Sequence, residues 1–121
     1  MAVMFMPAAP AYAAAPADAK AYFGSELAAC AAYYNLSAEL LRRKKLPDKA
    51  ETVEKSAMLA FVLARQINSE QRVNAEYKEW LAVLVKEMKL AGMDALVAKY
   101  SLNCKSALEH ADERYQFWLS K

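Results

Sequence analysis

Two cysteines, Cys30 and Cys104, and a single histidine, His110, are the side chains of this 121-residue chain whose chemistry is most versatile. The cysteines lie far apart and form no Cys-x-x-Cys, so they make neither a redox motif nor, without further ligands, a zinc site. A histidine acting as base needs an oriented nucleophile and an orienting partner. His110 has Glu109 and Asp112 nearby and no nominated nucleophile, so it reads as a solvated residue near a helix end. Glu109, Asp112 and Glu113 share one helical side at i, i+3 and i+4, and read as a solvated face. Helical bundles can hold haem between a Met and a His, which would pair His110 with Met58, Met88 or Met93. No Cys-x-x-Cys-His motif accompanies them, and Met at helical spacing reads as core filler. No catalytic residue, metal site or cofactor is therefore expected.

Other patterns have plain readings too. Arg42-Arg43-Lys44-Lys45 suits a helix C-terminus, where cations meet the negative end of the macrodipole. No aromatic residues interleave with it, as binding of single-stranded nucleic acid would require. The net charge of +2 provides no nucleic-acid footprint either. Asn35-Leu36-Ser37 matches a glycosylation sequon but falls inside a helical pattern. Met1, Met4 and Met6 resemble a soft copper site, yet are more simply part of an apolar leader.

That leader decides how the cysteines are read. Residues 1–16 carry no charge, and Ala11-Tyr12-Ala13 fits the small-x-small pattern of a signal-peptidase site. They read as a remnant signal peptide lacking its basic start, or as a disordered leader, ahead of a single helical domain over 17–121. The expected location is periplasmic or secreted. Two cysteines in an exported domain most simply form one disulfide, Cys30–Cys104. No transmembrane segment is expected, since the apolar run Ala57–Ala64 is far short of the ~20 residues needed to span a bilayer.

The elements that must position these residues are helices. After Ala17 the chain has two glycines, Gly24 and Gly92, and one proline, Pro47. A β-rich domain needs many more turn residues. Helix one is read from Asp18 as cap to about Lys45, with Phe23, Leu27, Cys30, Tyr34 and Leu41 inward. Its Gly24, Ser25, Ala28, Ala29, Ala31 and Ala32 keep it thin, allowing close neighbours. Leu46-Pro47-Asp48 breaks it. Helix two covers about Asp48 to Ile67, with Ala50, Val53, Ala57, Phe61, Ala64 and Ile67 inward; its all-round apolar run Ala57–Ala64 implies burial on more than one side. Asn68 with Gln71 reads as a capping box opening helix three, which runs to about Leu90 with Val73, Tyr77, Trp80, Leu81, Leu84 and Met88 inward. Gly92 is the C′ residue. Helix four starts at Met93 or Asp94 and turns Leu96, Val97, Tyr100, Cys104 and Leu108 inward. A short helix from Asp112 returns Tyr115, Trp118 and Leu119 to the core. The fold class is thus all-α, a compact bundle of four main helices plus a short C-terminal one, stapled between inward-facing Cys30 and Cys104.

Cys30-Ala31-Ala32-Tyr33-Tyr34, Lys99-Tyr100-x-x-x-Cys104-Lys105 and Arg114-Tyr115-x-x-Trp118-Leu119 resemble motifs of small exported bacterial and phage-associated helical proteins of uncharacterised function. The resemblance implies export, an all-α fold and the disulfide, and carries no catalytic residue.

The functional expectation is a non-enzymatic exported protein acting through protein–protein binding, of inhibitor, immunity, chaperone or accessory-subunit type. Its positive support is two all-round apolar runs, Ala57–Ala64 and Trp80–Val85, which exceed what one small bundle buries. The interface would include Met58, Phe61, Val62, Trp80 and Val83, and the partner would be another protein or a second copy in a homodimer. The alternative is a periplasmic carrier for a small apolar or aromatic ligand, with a pocket of Tyr22, Tyr33, Tyr34, Tyr77 and Trp80.

Overall fold

The computed structural model describes residues 16–121; apart from Pro16, the leader read as an export signal lies outside the described residues. Five helices follow in order: α1 (Pro16–Arg43), α2 (Pro47–Ile67), α3 (Glu70–Ala91), α4 (Met93–Glu109) and α5 (Ala111–Leu119). There is no strand among the described residues. Cys30 of α1 and Cys104 of α4 form a disulfide, their Cα atoms 5.5 Å apart. The all-α reading, the short fifth helix and the staple all hold.

Helix ends follow local rules with two corrections. Pro16 is inside α1 rather than just outside it, so Asp18 sits in the first turn and does not cap. The other end of α1 closes at Arg43 by a Schellman motif: Leu46 N–H donates to Leu41 O at 2.9 Å and Lys45 N–H to Arg42 O at 2.9 Å. That motif needs a left-handed residue, and Lys45 supplies it at φ 62°. The expected Asn68–Gln71 box is replaced by Ser69, whose Oγ accepts from Arg72 N–H at 3.2 Å. Asn68 instead ends α2 and turns its amide to α1, donating to Lys20 O at 3.4 Å. Gly92 ends α3 at φ 88°, where a side chain would be strained.

Alanine-rich α1 is the centre of the molecule and touches all four other helices. Leu27 through Tyr33 are buried without interruption, so burial runs around the whole circumference rather than along one stripe. A helix ringed by neighbours must be thin, and Ala28, Ala29, Ala31 and Ala32 make it so. α2 answers with small residues of its own, burying Ala50, Ala57, Ala60 and Ala64 along one face. Spacing of three, four and seven residues puts these on one side of a helix.

The apolar run of α2 behaves differently from its expectation. Only Ala57, Ala60 and Ala64 of that run are fully buried, while Met58, Leu59 and Val62 are 66%, 44% and 50% exposed. α2 packs chiefly on α1 and only lightly on α3 and α4, so an all-round apolar sequence leaves an apolar outer face. Val97 of α4 is likewise 45% exposed, not inward. It lies about 100° around the helix from buried Leu96, and Ala107 takes the inward place beside Leu96 and Cys104. Larger side chains complete two linked cores. One gathers Leu36, Leu84 and Leu96 around the disulfide. The other joins Phe23, Leu27 and Val73, against which Tyr115 and Trp118 of α5 pack. No helix among the described residues is long and apolar enough to cross a membrane.

Candidate functional site

A cleft of about 370 Å³ opens beside the disulfide, on the side of α1 faced by α3, α4 and α5. α1 contributes Tyr22, Ser25, Glu26, Ala29 and Cys30, a run of i, i+3, i+4, i+7 and i+8 that forms one helical face. α3 brings Trp80. α4 brings Lys99, Tyr100, Asn103 and Cys104, and α5 brings Arg114 and Trp118 one turn apart. Four aromatic rings from four helices therefore meet around one space. The Cys30–Cys104 bridge lies in its wall, with each cysteine only 1% exposed.

The polar groups of the cleft are anchored. Arg114 clasps Glu26 with two bonds, Nε to Oε1 at 2.7 Å and Nη2 to Oε2 at 2.6 Å. Trp118 Nε1 adds a third bond to Glu26 Oε1 at 2.9 Å. Such a bidentate, charge-assisted pair fixes orientation as well as distance, and here it ties α5 to α1. Tyr22 and Trp118 pack with ring centroids 5.6 Å apart. Trp80 Nε1 donates to Ser25 Oγ at 3.1 Å, which sets the plane of that indole.

At the α3–α4 side, Glu87 receives Tyr100 OH at 2.8 Å and Lys99 Nζ at 3.0 Å. The Tyr100 bond, followed by that of Lys99, holds the Glu87 carboxyl below the ordinary carboxylate range. Burial, then the Glu87 bond, raises the Tyr100 phenol. The Glu87 bond raises the Lys99 ammonium.

The structure divides the residues singled out from sequence. Of the expected aromatic pocket, Tyr22 and Trp80 line the cleft. Tyr33, Tyr34 and Tyr77 do not: Tyr33 is core, packed against Tyr34 and Tyr100 at 5.3 and 6.0 Å. Tyr77 packs on Phe61 at 4.8 Å and accepts from Asn35 Nδ2 at 3.1 Å. The expected interface also splits. Phe61 is used by Tyr77 and Trp80 by the cleft, while Met58 and Val62 face outward on α2 and Val83 is exposed on α3. Met58 is thus not core filler, whereas Met88 and Met93 pack against the core. His110 stands exposed at the α4–α5 junction, with Nδ1 3.6 Å from Glu113 Oε1.

Glu26, Tyr100, Arg114 and Trp118 were not singled out as pocket residues from sequence. The 22-25-26-29-30 spacing was a signal available for part of them, because an acid and a serine interrupt an otherwise small and aromatic face. Arg114 and Trp118 sit in a helix whose docking position is a tertiary property. Comparison with models of known protein families, with curated proteins and with solved structures yields no match.

Proposed function

We propose that this chain is an exported, non-enzymatic binding protein and that it carries a small apolar or aromatic molecule in the cleft between α1, α3, α4 and α5. The observation that carries this reading is the convergence of Tyr22, Trp80, Tyr100 and Trp118 on one cleft of about 370 Å³. Ligand sites are concave and mostly apolar, with a few fixed polar groups, and hold volumes of roughly 300–1,000 Å³. A wall cross-linked by a disulfide and latched by Glu26–Arg114 supports a largely pre-formed site. The disulfide also supports an oxidising compartment such as the periplasm or the cell exterior.

Native mass spectrometry tests the carrier reading on protein isolated without denaturation from the envelope or medium of the cells that make it. A stoichiometric small-molecule adduct, lost on denaturation, is the expected result. A bare polypeptide mass in every gentle preparation would sink it.

The protein–protein reading keeps one observation of its own, the outward row Met58, Leu59 and Val62 on α2. Exposed apolar residues adjoining on one helix face suit an inhibitor, immunity, chaperone or accessory-subunit contact. Under that reading Met58→Lys with Val62→Lys abolishes partner capture or self-association and leaves helicity intact. Unchanged association in the double variant removes α2 as the contact.

A further inference from the structure

We infer that the molecule this cleft recognises is an aromatic anion, a flat one- or two-ring system bearing a carboxylate. The inference rests on the carrier reading above and adds the charge of the ligand. Aromatic walls by themselves would equally suit a cation, because ring faces attract positive charge. Here the protein has placed its own cations against two of the four wall rings. Arg114 Cζ lies 5.5 Å from the ring centre of Trp118, and Lys99 Nζ lies 5.3 Å from that of Tyr100. A cationic ligand entering beside them meets like charge.

The hydrogen-bond inventory points the same way. Glu26, the carboxylate that lines the cleft, and Glu87 beside it each accept a bond at both oxygens. Glu26 Oε1 accepts from Arg114 and Trp118, and Oε2 from Arg114. Glu87 Oε1 accepts from Tyr100 and Oε2 from Lys99. Of the roughly four acceptor sites on a carboxylate, Glu26 uses three and Glu87 two, and the donors are less fully committed still. A guanidinium has five N–H groups and an ammonium three, whereas Arg114 gives two to Glu26 and Lys99 gives one to Glu87. Asn103, an exposed residue on the wall, adds an amide. The site therefore presents flat apolar surface with a surplus of charge-assisted donors, which is complementary to a ring that ends in an anion. Its volume, near the lower end for ligand sites, favours one or two rings over a larger molecule.

The protein contains two tryptophans, Trp80 and Trp118, and both line this cleft. In a ¹H–¹⁵N spectrum the two indole cross-peaks thus report on the site directly. Three naphthalene probes of similar size separate ring from charge: 2-naphthoate, 2-naphthylmethanol and 2-naphthylmethylammonium. They are titrated into the disulfide-intact protein while calorimetry gives the affinities. Naphthoate is expected to shift both indole peaks and to bind at least about tenfold more tightly than the alcohol, the scale of one hydrogen bond to a charged group. The ammonium is expected to bind most weakly. Lys99→Gln, at a side chain 61% exposed, is expected to move the naphthoate-to-alcohol affinity ratio toward one.

The two readings fail in different ways. If no probe moves either indole peak, the cleft is not a binding site and the carrier reading falls with the inference. If the probes bind and shift the peaks but the alcohol or the ammonium binds as tightly as naphthoate, the carrier reading stands and the assigned charge is wrong. A naphthoate preference that Lys99→Gln leaves untouched overturns the role given to the wall cations.

Discussion

The two sides of α1 are held by opposite means. Between α1 and α2 both helices bring buried alanines, Ala28, Ala31 and Ala32 on α1 and Ala50, Ala57, Ala60 and Ala64 on α2, all at most 1% exposed. Each such residue buries little area, so attachment is spread over the length of both helices through close approach. Toward α4 and α5 the attachment is concentrated at few points: one disulfide, one clasped ion pair and a handful of aromatic contacts. α5 has no fully buried residue of its own. Spread-out packing leaves no space, whereas point attachment holds helices apart and encloses a cleft. The difference shows how one thin helix serves as both a sealed core and the floor of a candidate site.

Removing the disulfide tests the contrast most severely. Closing a loop of about 75 residues stabilises the native state by roughly 4.5 kcal/mol in the chain-entropy model, often less in practice. Cys30→Ala with Cys104→Ala is expected to lose a comparable amount in urea denaturation. Hydrogen exchange in the same variant is expected to rise first in α4 and α5, with α1 and α2 protected longest. Equal loss of protection in all five helices would show that the two sides are not separable.

The alanine seam is expected to fail by crowding rather than by loss of a tether. Ala60 is fully buried, and Ala60→Leu adds three carbons where helices touch. A loss of about 1–3 kcal/mol is the usual scale for overpacking, read as a lower urea midpoint with little change in slope. A neutral outcome would mean the seam has slack.

A smaller effect separates the cleft side by pH. The Glu87 carboxyl titrates lower in the folded protein than in the unfolded chain. Its contribution is therefore present above the unfolded value of about 4.3 and is lost as pH falls through the lower folded value. Urea midpoints measured from neutral pH down to about 3 should fall less steeply for Glu87→Gln than for the parent. Parallel acid limbs would remove Glu87 as a contributor.

The smallest expected change lies where α1 meets the α2–α3 turn. A Cβ on Gly24 would come within 2.9 Å of Asn68 Cγ, so the Asn68 side chain must rotate away and give up its bond to Lys20 O. Against this, Ala in a helix is favoured over Gly by about 0.8–1.0 kcal/mol. Gly24→Ala is thus expected to be close to neutral. Added to Asn68→Ala, where the obstruction is gone, it should stabilise by up to about that amount. Thermal melts of the four-member cycle decide it.

How much of this was legible in the sequence varies by scale. The glycine and proline scarcity marked a helical chain, Pro47 and Gly92 marked two of its breaks, and helical phase turned both cysteines inward. Capping differs from the sequence expectation by one residue: Asn68 and Ser69 both qualify, and in the fold the Asn68 amide bonds Lys20 O while Ser69 caps α3. The aromatic pocket was half legible. Tyr22 and Trp80 belong to it, but a sequence cannot say which of several inward tyrosines meet one another.

Helix identity, the inward phase of Cys30 and Cys104 and the thinness of α1 were determined by the sequence itself, since propensity, periodicity and side-chain volume are local properties. Which helix would be central was decided only by the tertiary structure. The all-round apolar segment of α2 implied burial on more than one side, yet it lies outside with Met58 and Val62 exposed, because a helix surrounded by four others must be narrow before it is greasy. The same choice set α5 across α1, joined Arg114 and Trp118 to Glu26, and so formed the cleft from residues that are 88 and 92 positions apart in the chain.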